Sequence, residues 1–241
     1  EHRQNSVVLS ERFGKLVVQS RMGRMKPFDT LSQEVLYKLS GKNTLLEMNP
    51  TQVLLGMLSH PTVWKKIPMI QTKTPKLRIF LGLESHQKLA SFGDFFEGSR
   101  YKLETEVQKA LMLRPSERGT YENDLIKVDE RLSIAFMVYY GTLFKIFPLP
   151  NDANHTWLGL PEMFEKLQND EGLLLQDQAE RFIESVFTRQ YEQASLHVKA
   201  FEAFALKYGS SIMPESKHIE AELFYNKAKF FERLTPAYLI V

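Results

Sequence analysis

The sequence predicts a mainly α protein: a multi-helix, bundle-like domain with at most a short β-hairpin or isolated strands. Three observations predict it. Apolar residues recur at three- and four-residue steps through most of the chain, the pattern of helices with one buried face. Prolines and glycines fall at the edges of these runs, where helices start and stop. Runs of β-branched character are few, with Phe13 to Gln19 and Leu77 to Leu81 as the strand candidates.

Taken in order, the first helix signal follows Gly23-Arg24-Met25-Lys26-Pro27-Phe28-Asp29-Thr30. Pro27 fixes its own φ and holds Lys26 extended, so Arg24 and Lys26 sit on a stiff lead-in. Thr30 with Gln33 reads as a capping box, and Leu31, Val35, Leu36 and Leu39 form an apolar stripe that ends at Gly41. Pro50 suits the first position of a helix that His60-Pro61 should break, and a short helix at 62 to 66 follows. Lys102 to Leu113 is amphipathic and closed by Pro115. The central helix is expected from Tyr121 to Phe147. Its second half, Leu132 to Phe144, is apolar nearly all round, as a helix buried on most faces would be. Ser133, Gly141, Thr142 and Lys145 interrupt it, which favours a core helix over a membrane span. Pro148 to Asp152 then opens a loop. Beyond it, Ala179, Phe182, Ile183, Val186, Ala194, Val198, Phe201, Phe204, Ala205 and Tyr208 mark a long helix with a break near its middle, ending at Gly209. Pro214 starts another, with Ile219, Leu223, Ala228 and Phe231 facing inward. Residues 1–241 read as one domain, or as two lobes, 1–148 and 151–241, hinged at that loop.

Composition narrows the function classes. The chain has 241 residues, 43% of them hydrophobic, and a net charge of +2 from 31 basic and 29 acidic residues. The charges are interspersed, so no basic stripe points to nucleic acid. The absence of cysteine removes disulfides, thiolate zinc sites, thiol nucleophiles and covalent haem attachment through a Cys-x-x-Cys-His motif of its own. Six histidines, at 2, 60, 86, 155, 197 and 218, show no metal-ligand spacing. No nucleophile elbow, phosphate-binding loop or dinucleotide fingerprint occurs. Asn154-His155-Thr156 matches a glycosylation sequon, a motif that chance produces often and that is read in a eukaryotic secretory context.

One charged run stands out. Lys127-Val128-Asp129-Glu130-Arg131 directly precedes the apolar half of the central helix, so some of its charges approach the core and need partners. Lys127 and Glu130 can pair on the helix surface, as a solvated face would. Asp129 and Arg131 face elsewhere. The expectation is an ion-paired cluster of Arg24, Asp29, Asp129 and Arg131, with Lys26 and Glu130 beside it.

Together, Gly23 to Thr30, Leu39-Ser40-Gly41-Lys42, Lys127 to Arg131 and Lys145-Ile146-Phe147-Pro148 resemble the extracytoplasmic region of system II cytochrome c biogenesis proteins. The likeness is to the large ResB/CcsA-type fusion proteins of Bacteroidetes and epsilonproteobacteria, and it covers roughly residues 10 to 241. The resemblance implies a membrane complex that exports haem, keeps its iron reduced and presents it to apocytochrome c outside the cytoplasm. It implies a place on the periplasmic side of the bacterial inner membrane, with apocytochrome c and membrane-embedded assembly subunits as partners. The family's haem ligands are histidines on membrane helices and beside a tryptophan-rich loop. Trp64 and Trp157 stand far apart in this sequence, so none of those roles carries over. No cofactor is expected in the isolated domain, and haem is expected in the parent complex. The final octet, Leu234 to Val241, is expected to open a transmembrane helix. Two readings from other classes stand beside this one: a stand-alone helical hydrolase with a carboxylate site, and a membrane-tethered ligand-sensing domain.

Overall fold

The computed structural model describes residues 2–20 and 22–228. The octet 234–241 and Phe231 lie outside these residues. In chain order the elements are α1 (His2–Gly14), β1 (Val17–Gln19), β2 (Met25–Pro27), α2 (Phe28–Ser40), α3 (Pro50–Ser59), α4 (Pro61–Trp64), β3 (Ile70–Gln71), α5 (Pro75–Phe80), β4 (Leu89–Ala90), β5 (Phe96–Glu97), β6 (Arg100–Tyr101), α6 (Glu104–Met112), α7 (Thr120–Tyr139), β7 (Phe147–Pro148), β8 (Trp157–Leu158), α8 (Leu160–Lys166), α9 (Asp170–Phe187), α10 (Tyr191–Gly209) and α11 (Ser216–Ala228). The strands pair only as two-stranded antiparallel ribbons, β1 with β2, β3 with β4, β5 with β6 and β7 with β8. The protein is mainly α, as its sequence predicts. Among the described residues no helix is long and apolar enough to cross a membrane.

The chain divides into two compact units, and not at Pro148–Asp152. One is the continuous segment Val35–Leu143, and the other combines Glu1–Glu34 with Phe144–Val241. The expected hinge is instead the turn of the β7–β8 hairpin, in which Phe147 pairs with Leu158 and Pro148 with Trp157.

In the two-segment unit, β1 and β2 form a hairpin whose turn needs Gly23 at φ 77°, a left-handed conformation that glycine adopts without penalty. α2 starts at Phe28, directly after β2, rather than at a Thr30 cap; Gln33 bonds the Asp29 carboxylate at 2.7 Å, and the Thr30 hydroxyl accepts from Asn226 at 2.8 Å. The expected long helix is two helices. Thr188 caps α9, and Arg189, at φ 62°, turns the chain into α10. The two run antiparallel, since Glu171 at the start of α9 bonds Lys207 and Tyr208 at the end of α10. The interior is aromatic. Phe13 meets Phe28 edge-on at 4.8 Å and stacks on Phe182 at 5.2 Å, Phe28 lies 4.9 Å from Phe144, and Phe201 bridges Phe182 and Phe147. On α11, Ile219, Leu223 and Ala228 are only half-buried.

In the continuous unit, α7 is the axis, packing against α3, α5, α6 and β3. Its buried stripe is Asp124, Leu125, Val128, Arg131, Leu132, Ala135, Val138 and Tyr139. The helix stops at Tyr140, well before Phe147, because Gly141 takes φ 72° and turns its N–H to the Val138 carbonyl. Nor is its second half buried all round: Phe136 and Tyr140 are 49% and 54% exposed. Leu77 to Leu81, expected as a strand, is the end of α5 and its C-cap; the helix starts at Pro75, and Leu77 and the capping Leu81 are buried one turn apart. α3 begins with a complete capping box from Asn49 and Gln52.

Candidate functional site

Each of the six charged residues singled out from sequence has a partner within its own unit. Arg24 pairs with Glu222 at 3.1 Å and Lys26, itself buried, with Glu34. Asp29 accepts from Gln33. Glu130 pairs with Lys38 at 2.7 Å, not with Lys127. Asp129 accepts a 2.9 Å bond from the Tyr101 hydroxyl. Arg131 bonds no carboxylate among the described residues; its guanidinium donates to the Lys38 carbonyl at 2.9 Å and the Gln71 carbonyl at 3.1 Å. These partners were out of reach of local reading: Glu222 and Gln71 lie far along the chain from Arg24 and Arg131.

A buried polar network does exist, centred on residues that the charged run did not flag. Asp124, 2% exposed, accepts the backbone N–H groups of Lys73 (2.9 Å) and Thr74 (2.7 Å) and the Thr74 hydroxyl (2.9 Å). It thereby caps the start of α5 from a helix fifty residues away. Arg78, on α5, donates back to Thr72 and Lys73 carbonyls at 3.1 and 2.8 Å and to the Ser85 carbonyl. Burial pulls the Arg131 guanidinium below the usual arginine range, while Asp124 and then Glu130 pull it back up. A sequence signal was present: Asp124 and Arg131 lie seven residues apart on one helical stripe otherwise apolar.

The same unit carries an aromatic ladder. Tyr101 meets Phe96 at 5.6 Å, Phe96 stacks on Phe92 at 5.1 Å, and Phe92 meets Tyr139 edge-on at 5.2 Å. The Lys65 ammonium sits over three rings, 5.4 Å from Tyr139, 5.7 Å from Phe92 and 5.8 Å from Tyr140. Tyr140 and Phe136 stack with centroids 4.2 Å apart at the surface. Burial, then the Asp129 charge, hold the Tyr101 phenol well above the usual tyrosine range, and burial alone does so for Tyr139. The Tyr139 hydroxyl and the Thr51 hydroxyl are buried without a hydrogen-bond partner among the described residues. The sequence marked Phe136, Tyr139 and Tyr140 only as part of an apolar helix and did not mark Phe92, Phe96 or Tyr101, since ring pairs across a hairpin and a helix depend on tertiary packing.

The two-segment unit holds a cavity of about 190 Å³ between the β7–β8 turn and the end of α10, lined among others by Asn151, Asp152, His155, Tyr208 and Ser211. Asn151 and His155 both take positive φ, at 58° and 50°. Asp152 holds the turn by accepting the N–H groups of Asn154 (3.2 Å) and Thr156 (2.9 Å); the Thr156 hydroxyl first, then these N–H groups, keep its carboxyl below the usual range. Gln19 braces the turn from β1, donating to the His155 carbonyl and accepting from the Trp157 N–H, both at 2.9 Å. The Trp157 ring lies against Gly209, where a side chain would collide with it. His197 shares a 2.8 Å bond with Gln178, and desolvation, with Arg181 nearby, lowers its pKa. Among the described residues no group of three histidine or carboxylate side chains is placed to hold a metal ion.

The fold and these contacts define a mainly α-helical domain whose four charged motifs serve the backbone: a hairpin and helix start at 23–30, a helix stop at 39–42, a buried clamp within 127–131 and a paired strand at 145–148. No protein-family model matches the chain. Over 242 aligned positions it is 46% identical to Protein NrfI of Wolinella succinogenes, an alignment that takes in all of this chain. It spans 27% of that relative's length.

Proposed function

We propose that this chain is the periplasmic domain of a membrane-bound haem-delivery and cytochrome c assembly protein, in which it scaffolds the complex and docks apocytochrome c or a thiol-reducing partner. The observation that carries the reading is the agreement of two likenesses over nearly the whole chain: the ordered motifs of system II cytochrome c biogenesis proteins and the 46% identity to Protein NrfI. The geometry supports a scaffold rather than a hydrolase. Its most buried carboxylate, Asp124, is spent on backbone N–H groups, and the buried arginines on backbone carbonyls, so these charges fix structure instead of waiting for substrate. The 190 Å³ cavity is smaller than the pockets of ~300 Å³ and above that usually enclose ligands. Haem is placed in the parent complex in this reading, because the sequence has no Cys-x-x-Cys-His motif and no close histidine pair.

The docking face is assigned to the exposed Phe136–Tyr140 pair with Lys65 beside it, because rigid aromatic side chains are the usual anchors of protein interfaces. Titration of the chain with an apocytochrome peptide containing Cys-x-x-Cys-His tests this. Saturable binding weakened tenfold or more by the double substitution Phe136→Ser, Tyr140→Ser is expected, and binding unaffected by it, or none at all, contradicts the docking role.

A further inference from the structure

We propose that Asn154 is an acceptor of N-linked glycan. The inference rests on the extracytoplasmic placement proposed above. Two asparagines in the chain are followed two residues later by threonine, and the structure separates them. Asn49 is followed by Pro50, which the motif does not tolerate, and its side chain is engaged as the cap of α3, accepting the Gln52 N–H at 2.9 Å. Asn154 is followed by His155 and Thr156, and it lies at the tip of the β7–β8 turn with its side chain exposed and its carboxamide in no hydrogen bond among the described residues. Other asparagine amides are in use: Asn123 on the Arg118 and Gly119 carbonyls, Asn169 as the cap of α9, and Asn226 on Thr30. A glycan on Asn154 therefore displaces no internal contact.

The base of the turn is rigid. Asp152 gathers the Asn154 and Thr156 N–H groups, Gln19 clamps the backbone on both sides of Thr156, and Trp157 is fully buried beneath. His155, exposed and at φ 50°, bends the chain between acceptor and threonine. The chemistry asks only for an exposed amide, a lipid-diphosphate-linked oligosaccharide and a transferase on the same side of the membrane, so it does not require a eukaryotic cell. The Asn154 Nδ2 attacks the anomeric carbon of the sugar. The new N–C bond replaces the C–O bond to diphosphate, the lipid diphosphate leaves with the electron pair, and the amide nitrogen gives up one proton.

The test is made on the protein purified from the organism that encodes it. Mass spectrometry of the tryptic peptide Ile146–Lys166, which contains no internal Lys or Arg, should show a glycan mass localised to Asn154 and sugar oxonium fragments. Both should vanish completely in Asn154→Gln and in Thr156→Ala. Protease shaving of spheroplasts run in parallel reports the side of the membrane. A chain digested from outside whose Asn154 is bare overturns the glycan proposal and leaves the proposed placement standing. A chain protected inside with bare Asn154 overturns both.

Discussion

In Val35–Leu143 the interior contains a carboxylate and two guanidinium groups, Asp124, Arg78 and Arg131, all at least nine-tenths buried and bonded to backbone. In the other unit the interior is a run of phenylalanines from Phe28 through Phe13 and Phe182 to Phe201 and Phe147, and its buried charge, Lys26, reaches out to half-exposed Glu34. The difference follows from what each unit must order. The first packs short helices and the long connections between them around α7, and the free carbonyls and N–H groups of those connections need partners that helices do not supply. Guanidinium groups with several donors, and a carboxylate with several acceptor sites, satisfy many such groups at once. The second is dominated by an antiparallel pair of long helices whose backbone bonds are internal, so apolar side chains suffice.

The largest effect that would break this comparison is at Asp124. Asp124→Ala leaves two backbone N–H groups without partners and should cost about 3–5 kcal/mol in urea or thermal unfolding, the range for removing one member of a buried charged network. A loss below about 1 kcal/mol would show that the network is incidental. In the aromatic unit, Gly209→Ala drives a methyl into Trp157 and should cost about 1–3 kcal/mol by overpacking, whereas a neutral result would mean that the contact relaxes freely. The smallest effect is expected for Arg24→Ala. Its pair with Glu222 is exposed, with the arginine side chain 63% accessible, so the change should lie within about 0.2–1 kcal/mol and shrink further in salt. A cost like that of Asp124→Ala would restore a buried cluster around the first motif.

The same contrast decides what was legible in the sequence. Helix ends marked by proline or glycine, such as Pro50, Pro61 and Gly209, emerge where local chemistry places them. The mainly α class and the helical character of residues 179 to 208 followed from periodicity, whereas the hairpins beyond a single one and the antiparallel pairing of α9 with α10 did not. Positions governed by distant partners did not. Leu77 and Ile79 have strand-like character, but a proline start and the Asp124 cap, fifty residues on, make the segment helical. The charges of Lys127 to Arg131 attracted attention as a run, yet only Arg131 faces the core, and its companion on the stripe is Asp124, just outside the run. The ladder was not legible as a unit because its rings come from the β4–β6 region and α7 and its cation, Lys65, from the α4–β3 link.

The central claim, a role in cytochrome c assembly, is tested most directly by disrupting the gene that encodes this chain and staining c-type cytochromes for covalently bound haem. The account predicts that one or more of them lose haem staining while the apocytochrome polypeptide is still made and exported, with restoration by the intact gene. Full haem staining of every c-type cytochrome in the disrupted strain would contradict it.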